Sequence, residues 1–245
     1  MKKQYKSLSI LLSVLTGVLI LAASIAVPLL CRPFYYAHIM GMDLCGYTGL
    51  SEGQIRQAYD EMMDFCLGLS PEFSVGPLIW SESGRDHFVD VRGLFLLDLW
   101  VLAMCLLLLA VTFVVCRKKN WHPYGFKGHG PGFWGAVGLG VVFLVVGGLA
   151  ALDFDRAFVV FHQLFFPGKS NWIFDWRTDP IILLLPQEFF QNCAILILTL
   201  ILTWCGVLIG TDLWAGKQRE KRRKQKLEQQ LPGCSGGCEG CSGCG

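Results

Sequence analysis

The chain has 245 residues, of which 53% are hydrophobic and only 16% charged, and its mean hydropathy is +0.47. Soluble domains average about 45–50% apolar and about 25% charged residues, so this balance excludes an ordinary soluble enzyme and points to a membrane protein. The formal net charge of +2 says little as a total; its distribution along the chain decides the topology, and no nucleic-acid partner is expected.

Four stretches reach the roughly 20 apolar residues needed to cross a bilayer. Residues 1–30 hold the first, Leu8–Leu30. Lys2 and Lys3 with Ser24-Ile25-Ala26 imitate a secretory signal, but the apolar run exceeds the roughly 7–15 residues of a signal core, so an uncleaved anchor is predicted. The bulky Leu30 before Cys31 argues against a lipoprotein signal. Residues 31–92 are too long for a simple turn and are predicted to fold as a small extracellular cap. Within them LSEGQIRQAYDEMMDFC reads as an amphipathic helix, with Ser51 as N-cap and Gln54 closing a capping box. Ile55, Tyr59, Met62 and Cys66 recur at helical spacing, to pack on the cap or lie on the membrane surface. Span two is 93–116, with Asp98 inside it; a cytosolic loop, 117–131, leads to span three, 132–152. A second extracellular segment, 153–191, precedes span four, 192–213, and a tail, 214–245, is basic and then cysteine-rich.

Basic residues stay in the cytoplasm. Lys2, Lys3 and Lys6 precede span one, Arg117, Lys118, Lys119 and Lys127 separate spans two and three, and KQREKRRKQK follows span four. The other two connecting segments are net acidic. Both termini are therefore predicted inside, and the two acidic segments outside. The expected class is an all-α membrane protein with four transmembrane helices and an extracellular cap.

Five histidines occur. His122 and His129 fall in the basic loop and read as solvated; His38 lies outside, near the end of span one. His87 and His162 stand far apart in sequence, yet this topology returns both to one membrane interface. His162 is set in FVVFHQLFF, where Phe158, Phe161, His162 and Phe165 share one helical face. A histidine there loses water it would prefer to keep, so it is either a core residue with one hydrogen bond or a group that does chemistry. Asp90 follows His87 by three residues and could orient its ring. Asp153 and Asp155 precede His162 by about two helical turns. Imidazole suits proton transfer near neutral pH, and no G-x-S-x-G or Ser-x-x-Lys offers a nucleophile on that side. Pro167-Gly168-Lys169-Ser170 imitates the end of a phosphate loop but lacks its first glycine. Asp98 is a functional candidate by its place in a span, or a hydrogen-bonding partner of a neighbouring helix.

Eleven cysteines divide by location. Cys105, Cys116, Cys193 and Cys205 lie in spans and act as small hydrophobes. Cys45 and Cys66 could pair outside, leaving Cys31 alone. Cys234, Cys238, Cys241 and Cys244 have a spacing that could hold zinc or an iron–sulfur cluster, or they form a flexible reduced tail.

DHFVDVRGLF at 86–95 and DFDRAFVVFHQLFFPGKSNWIFDWRTDPIILLLPQEFF at 153–190 resemble the bacterial lipoprotein intramolecular transacylase family. His87, Asp90, Val91 and Arg92 fit the first part of its pattern. Phe161, His162, Phe165, Phe166, Trp172, Asp175, Asp179, Leu185, Pro186, Phe189 and Phe190 fit the second. The resemblance covers the four-span layout, and the cysteine tail is no part of it. It implies a multi-pass protein of the bacterial cell membrane with its active site on the outer face. The implied reaction moves the sn-2 acyl chain of a diacylglyceryl-modified lipoprotein to the α-amine of its N-terminal cysteine, giving the lyso-form.

Under that resemblance His87 and His162 are catalytic, with Asp90 and Asp153 supporting, and with Phe158, Phe161, Phe165 and Trp172 gripping the substrate among membrane lipids. The substrate brings its own nucleophile and its own ester, so proton-handling imidazoles suffice and no cofactor or metal is implied. Two rival readings are a metal-dependent membrane hydrolase, with His87, Asp90 and His162 as ligands, and a non-catalytic lipid-binding scaffold.

Overall fold

Four long helices, each long and apolar enough to cross a membrane, dominate the computed structural model, which describes residues 3–230. They are α1 (Lys6–Leu30), α5 (Glu82–Lys119), α6 (Pro131–Leu152) and α9 (Gln187–Gln230). Leu97, Trp100, Leu107, Val141, Leu144 and Leu149 all point outward and are more than half exposed. Helices that turn such side chains away from their neighbours need an apolar surrounding, and a bilayer supplies it. Between the helices, contact depends on small residues. α1 packs against α5, α6 and α9, and α6 against α9. A side chain at Gly135 would meet the Ser13 backbone, and one at Gly147 would meet Leu198, so the backbones approach as closely as glycine permits.

At one end of the bundle sits a cap built from α2 (Arg32–Gly41), α3 (Leu44–Thr48), α4 (Glu52–Cys66), α7 (Phe154–Phe165) and the short α8 (Ile181–Leu184). Its core is aromatic and dense. Tyr35 stacks on Tyr59 at 3.7 Å, and its hydroxyl donates to the Leu184 carbonyl at 2.9 Å. The capping box of α4 is present: Ser51 accepts from the Gln54 backbone, and the Gln54 side chain accepts from the Ser51 backbone. Ile55, Tyr59, Met62 and Cys66 all face this core, so the helix packs inside the cap rather than lying on a membrane surface. Cys45 and Cys66 are separate thiols, and burial pushes the Cys66 thiol up to about 12.

The boundary expected at residue 93 does not coincide with an element boundary. α5 starts eleven residues earlier, at Glu82, where Ser81 accepts from the Gly84 backbone N–H at 3.0 Å. The helix that spans the apolar region therefore rises into the cap and carries His87 and Asp90 on its first turns. α9 likewise continues past the apolar stretch through the basic residues to Gln230. At the other end of the bundle, β1 (Lys3–Tyr5) pairs in parallel with β2 (Trp121–Pro123). Cys234, Cys238, Cys241 and Cys244 lie outside the described residues.

Candidate active site

α7 begins where Asp153 accepts from the Arg156 backbone N–H at 2.9 Å, and it ends with His162 in its last turn. His87 occupies the second turn of α5. The two rings meet at the junction of cap and spans, with centroids 5.9 Å apart and planes inclined by 30°. Both histidines are buried, His87 at 6% and His162 at 8% exposure. Phe166 touches both rings, edge-on to His87 at 4.9 Å and tilted to His162 at 5.8 Å. Phe174 meets His87 edge-on at 5.4 Å. Phe158 lies against His162 at 4.2 Å and Trp172 stacks on it at 4.8 Å.

Hydrogen bonding distinguishes the two imidazoles. His162 Nδ1 lies 2.8 Å from the Phe158 carbonyl. A carbonyl only accepts, so Nδ1 carries the hydrogen, and in the neutral ring Nε2 bears the lone pair. Burial lowers the pKa of His162, and the Phe158 carbonyl raises it in partial compensation. The ring thus stays a neutral base to lower pH than a free imidazole. His87 Nδ1 is buried with no hydrogen-bond partner among the described residues.

The residues expected to assist fall differently. Asp90 is not hydrogen-bonded to His87; its carboxylate accepts from Lys169 Nζ at 2.5 Å and from Asn171 Nδ2 at 3.2 Å. It ties down the loop that carries Trp172, because a carboxylate on the first turns of α5 is matched by the nearby lysine. Asp153, expected to orient His162, instead caps α7, nine residues and about 13 Å of helix away. Phe161 meets His162 edge-on at 5.5 Å, whereas Phe165 packs on Phe161 at 4.6 Å and flanks the site. Asp98 shares the His87 face of α5 three turns further on, since eleven residues rotate a helix by three turns and about 20°; its Oδ2 is buried and has no hydrogen-bond partner among the described residues.

Three participants, Phe174, Lys169 and Asn171, were not singled out in the sequence as site residues, and Asp179, which fits the family pattern, had no role assigned to it. Asp179 is 4% exposed and accepts from the Ser81 backbone and hydroxyl, each at 2.8 Å, and from Thr178 at 2.7 Å. A side chain at Gly84 would collide with this carboxylate, so the glycine permits the loop to close on α5. No group of three or more His, Cys, Asp or Glu side chains among the described residues is arranged to hold a metal ion. The set His87, Asp90 and His162 is not gathered around one point, because the Asp90 oxygens face Lys169 and Asn171.

Fold and site together define an integral membrane protein of four spans whose buried imidazole pair lies under a small aromatic cap. The family described as lipoprotein intramolecular transacylase Lit matches residues 10–190, and the chain belongs to that family. It is accordingly an acyltransferase. The fold is similar to that of the membrane-integral lipoprotein intramolecular transacylase Lit from Bacillus cereus, with a TM-score of 0.75, 24% identity, and coverage of 87% of this chain and 96% of that one. A variant of that protein with a histidine replaced by arginine gives a TM-score of 0.70 at 22% identity, covering 88% and 93% of the two chains. A variant with alanine in place of a histidine gives 0.71 at 22% identity, covering 87% and 94%. No curated protein matches.

Proposed function

We propose that the chain moves the sn-2 acyl chain of a diacylglyceryl lipoprotein to the α-amine of its N-terminal cysteine, with His87 and His162 as the proton-handling pair. The observation that carries this reading is the pair itself: two buried imidazoles 5.9 Å apart, one with a defined free nitrogen. The substrate's α-amine has a pKa near ~7.7–8.0, so a useful fraction is neutral at ordinary pH. Its nitrogen attacks the ester carbonyl carbon, forming a C–N bond, and the excess proton passes to His162 Nε2. An N–H of His87 donates to the developing oxyanion. When the tetrahedral intermediate collapses, the ester C–O bond breaks, and the proton held by His162 goes to the departing glyceryl oxygen. One C–N bond replaces one C–O bond and one proton moves from nitrogen to oxygen, so the step balances without water. The aromatic wall around the rings excludes the water that would compete.

The same reading puts the cap outside and both termini in the cytoplasm, because the positive charges cluster at the opposite end of the bundle. The exposed apolar side chains of α7, Val160, Leu164 and Phe165, then meet lipid at the level where acyl chains begin. Trp176 sits on the following loop, also exposed. The experiment compares the N-terminus of a diacylglyceryl lipoprotein by mass spectrometry in membranes with and without this chain. The expected result is an acyl group on the cysteine nitrogen only when the chain is present. An N-terminus identical in both membranes contradicts the reading.

A further inference from the structure

We propose that Asn171 is a substrate-positioning residue whose side-chain oxygen receives one N–H of the substrate's primary α-amine. The inference rests on the acyl-transfer reading above. Three buried side-chain atoms lack a hydrogen-bond partner among the described residues, and two of them border this site: His87 Nδ1 and Asn171 Oδ1. Asn171 cannot relieve its own by flipping. Its Nδ2 donates to Asp90 Oδ2 at 3.2 Å, and a carboxylate only accepts, so the amide oxygen must face away from Asp90. A buried acceptor held in this way without a donor is strongly unfavourable, and such orphans point to a missing hydrogen-bonding group.

The position of Asn171 identifies that group. The next residue, Trp172, stacks on His162, and the anchor, Asp90, lies one turn after His87 on α5. Asn171 therefore sits between the two halves of the site. A neutral primary amine has one lone pair and two hydrogens. The lone pair must face the ester carbonyl and one N–H must face His162 Nε2; the second N–H needs an acceptor, or the amine turns freely about its C–N bond. Asn171 Oδ1 supplies it. An amide suits the task better than a carboxylate, because a negative charge beside the amine would favour ammonium and remove the nucleophile's lone pair. After transfer the product amide retains one N–H, which can keep the same contact.

The test uses the full-length protein in bilayers with two synthetic diacylglyceryl-cysteinyl peptides, identical except that one has a primary α-amine and the other an N-methyl α-amine. The secondary amine has a single N–H and cannot serve both His162 and Asn171. Wild-type protein is expected to prefer the primary amine in kcat/KM by on the order of tenfold or more. Asn171→Leu keeps the side-chain volume and removes the acceptor. It also removes the donor to Asp90 Oδ2, a loss common to both peptides; beyond that shared slowing, the primary amine is expected to lose about the same further factor, so that the preference collapses towards one. A residue that only tied down the loop would slow both peptides equally and preserve the ratio, which overturns the proposal. A wild-type ratio already near one overturns it without any variant. Failure of the underlying reading looks different: the acyl group then reaches the nitrogen of neither peptide, even with wild-type protein.

Discussion

Both ends of the bundle hold histidines packed on aromatic rings, yet the two sets of contacts differ in kind. At the end opposite the cap, His129 stacks on Phe133 at 4.0 Å, closer than any ring contact made by His87 or His162. Its Nδ1 lies 2.7 Å from Asp212 Oδ2, while Gly130 donates to Asp212 Oδ1 at 3.1 Å. That histidine locks the loop after β2 onto α9. Its sequence setting beside glycine and proline suggests a solvated residue, and the structure corrects this, because Asp212 on the fourth span reaches back to it. His122 fits that description better: it is partly exposed beside Asn120. At the cap end, aromatic contact comes with no carboxylate on either ring. Stacking therefore does not distinguish the histidine that locks a loop from the pair proposed to handle protons. A nitrogen left free inside a buried site does.

The comparison breaks most sharply at the pair. His162→Ala and His87→Ala are each expected to lower conversion by about 10²–10⁴-fold, the usual contribution of a positioned acid or base. The double variant should lose far less than the product of the two, because groups acting as one unit are not additive. Rates of N-acylation measured on membrane-inserted proteins check this. Multiplicative losses would mean that the rings act separately.

Next in size is pH. The substrate's α-ammonium group, with a pKa near ~7.7–8.0, must lose its proton before the nitrogen can attack, so kcat/KM should fall with unit slope in log rate as pH drops below that value. Burial lowers the pKa of His162, so its protonation adds nothing until the pH is more acidic than that of a free imidazole. A slope that steepens to two near pH ~6.5 would show an ordinary, solvated histidine. Asp90→Ala releases Lys169 and Asn171 together and should cost on the order of tenfold in kcat. A loss as deep as that of His87→Ala would instead give Asp90 a direct role on the ring. Smallest is His129→Ala, which leaves acyl transfer within about twofold and lowers thermal stability only slightly, since a single part-exposed hydrogen bond contributes about 0.5–1.5 kcal/mol.

Periodicity and charge made the helices legible, because a bilayer demands long apolar runs and loops keep their basic residues on one side. The Ser51 cap and the buried face of α4 followed from local rules of the same kind. That His87 and His162 reach one interface was legible through topology, since both flank spans on the same side; that their rings meet was not, because topology fixes the side and not the contact. Pairwise chemistry was harder to read. Asp90 stands at helical spacing from His87, which suggests an orienting bond, but a residue 79 positions away competes for it, and sequence spacing carries no record of Lys169. Asp153 and His162 share one helix, and the intervening turns keep them apart. Phe174 and Asn171 lie on an irregular loop, where no period fixes which side chain turns inward.

The central claim, that an acyl group passes from oxygen to nitrogen within one substrate, is tested most directly by mass spectrometry of a diacylglyceryl-cysteinyl peptide incubated with the full-length protein. The peptide carries isotopically distinct chains at its two ester positions and a free or an acetylated α-amine. The account predicts that the sn-2 chain appears on nitrogen, that no free fatty acid is released, and that the acetylated peptide is returned unchanged. Release of free fatty acid from the acetylated peptide would contradict it, since only a hydrolase needs no amine.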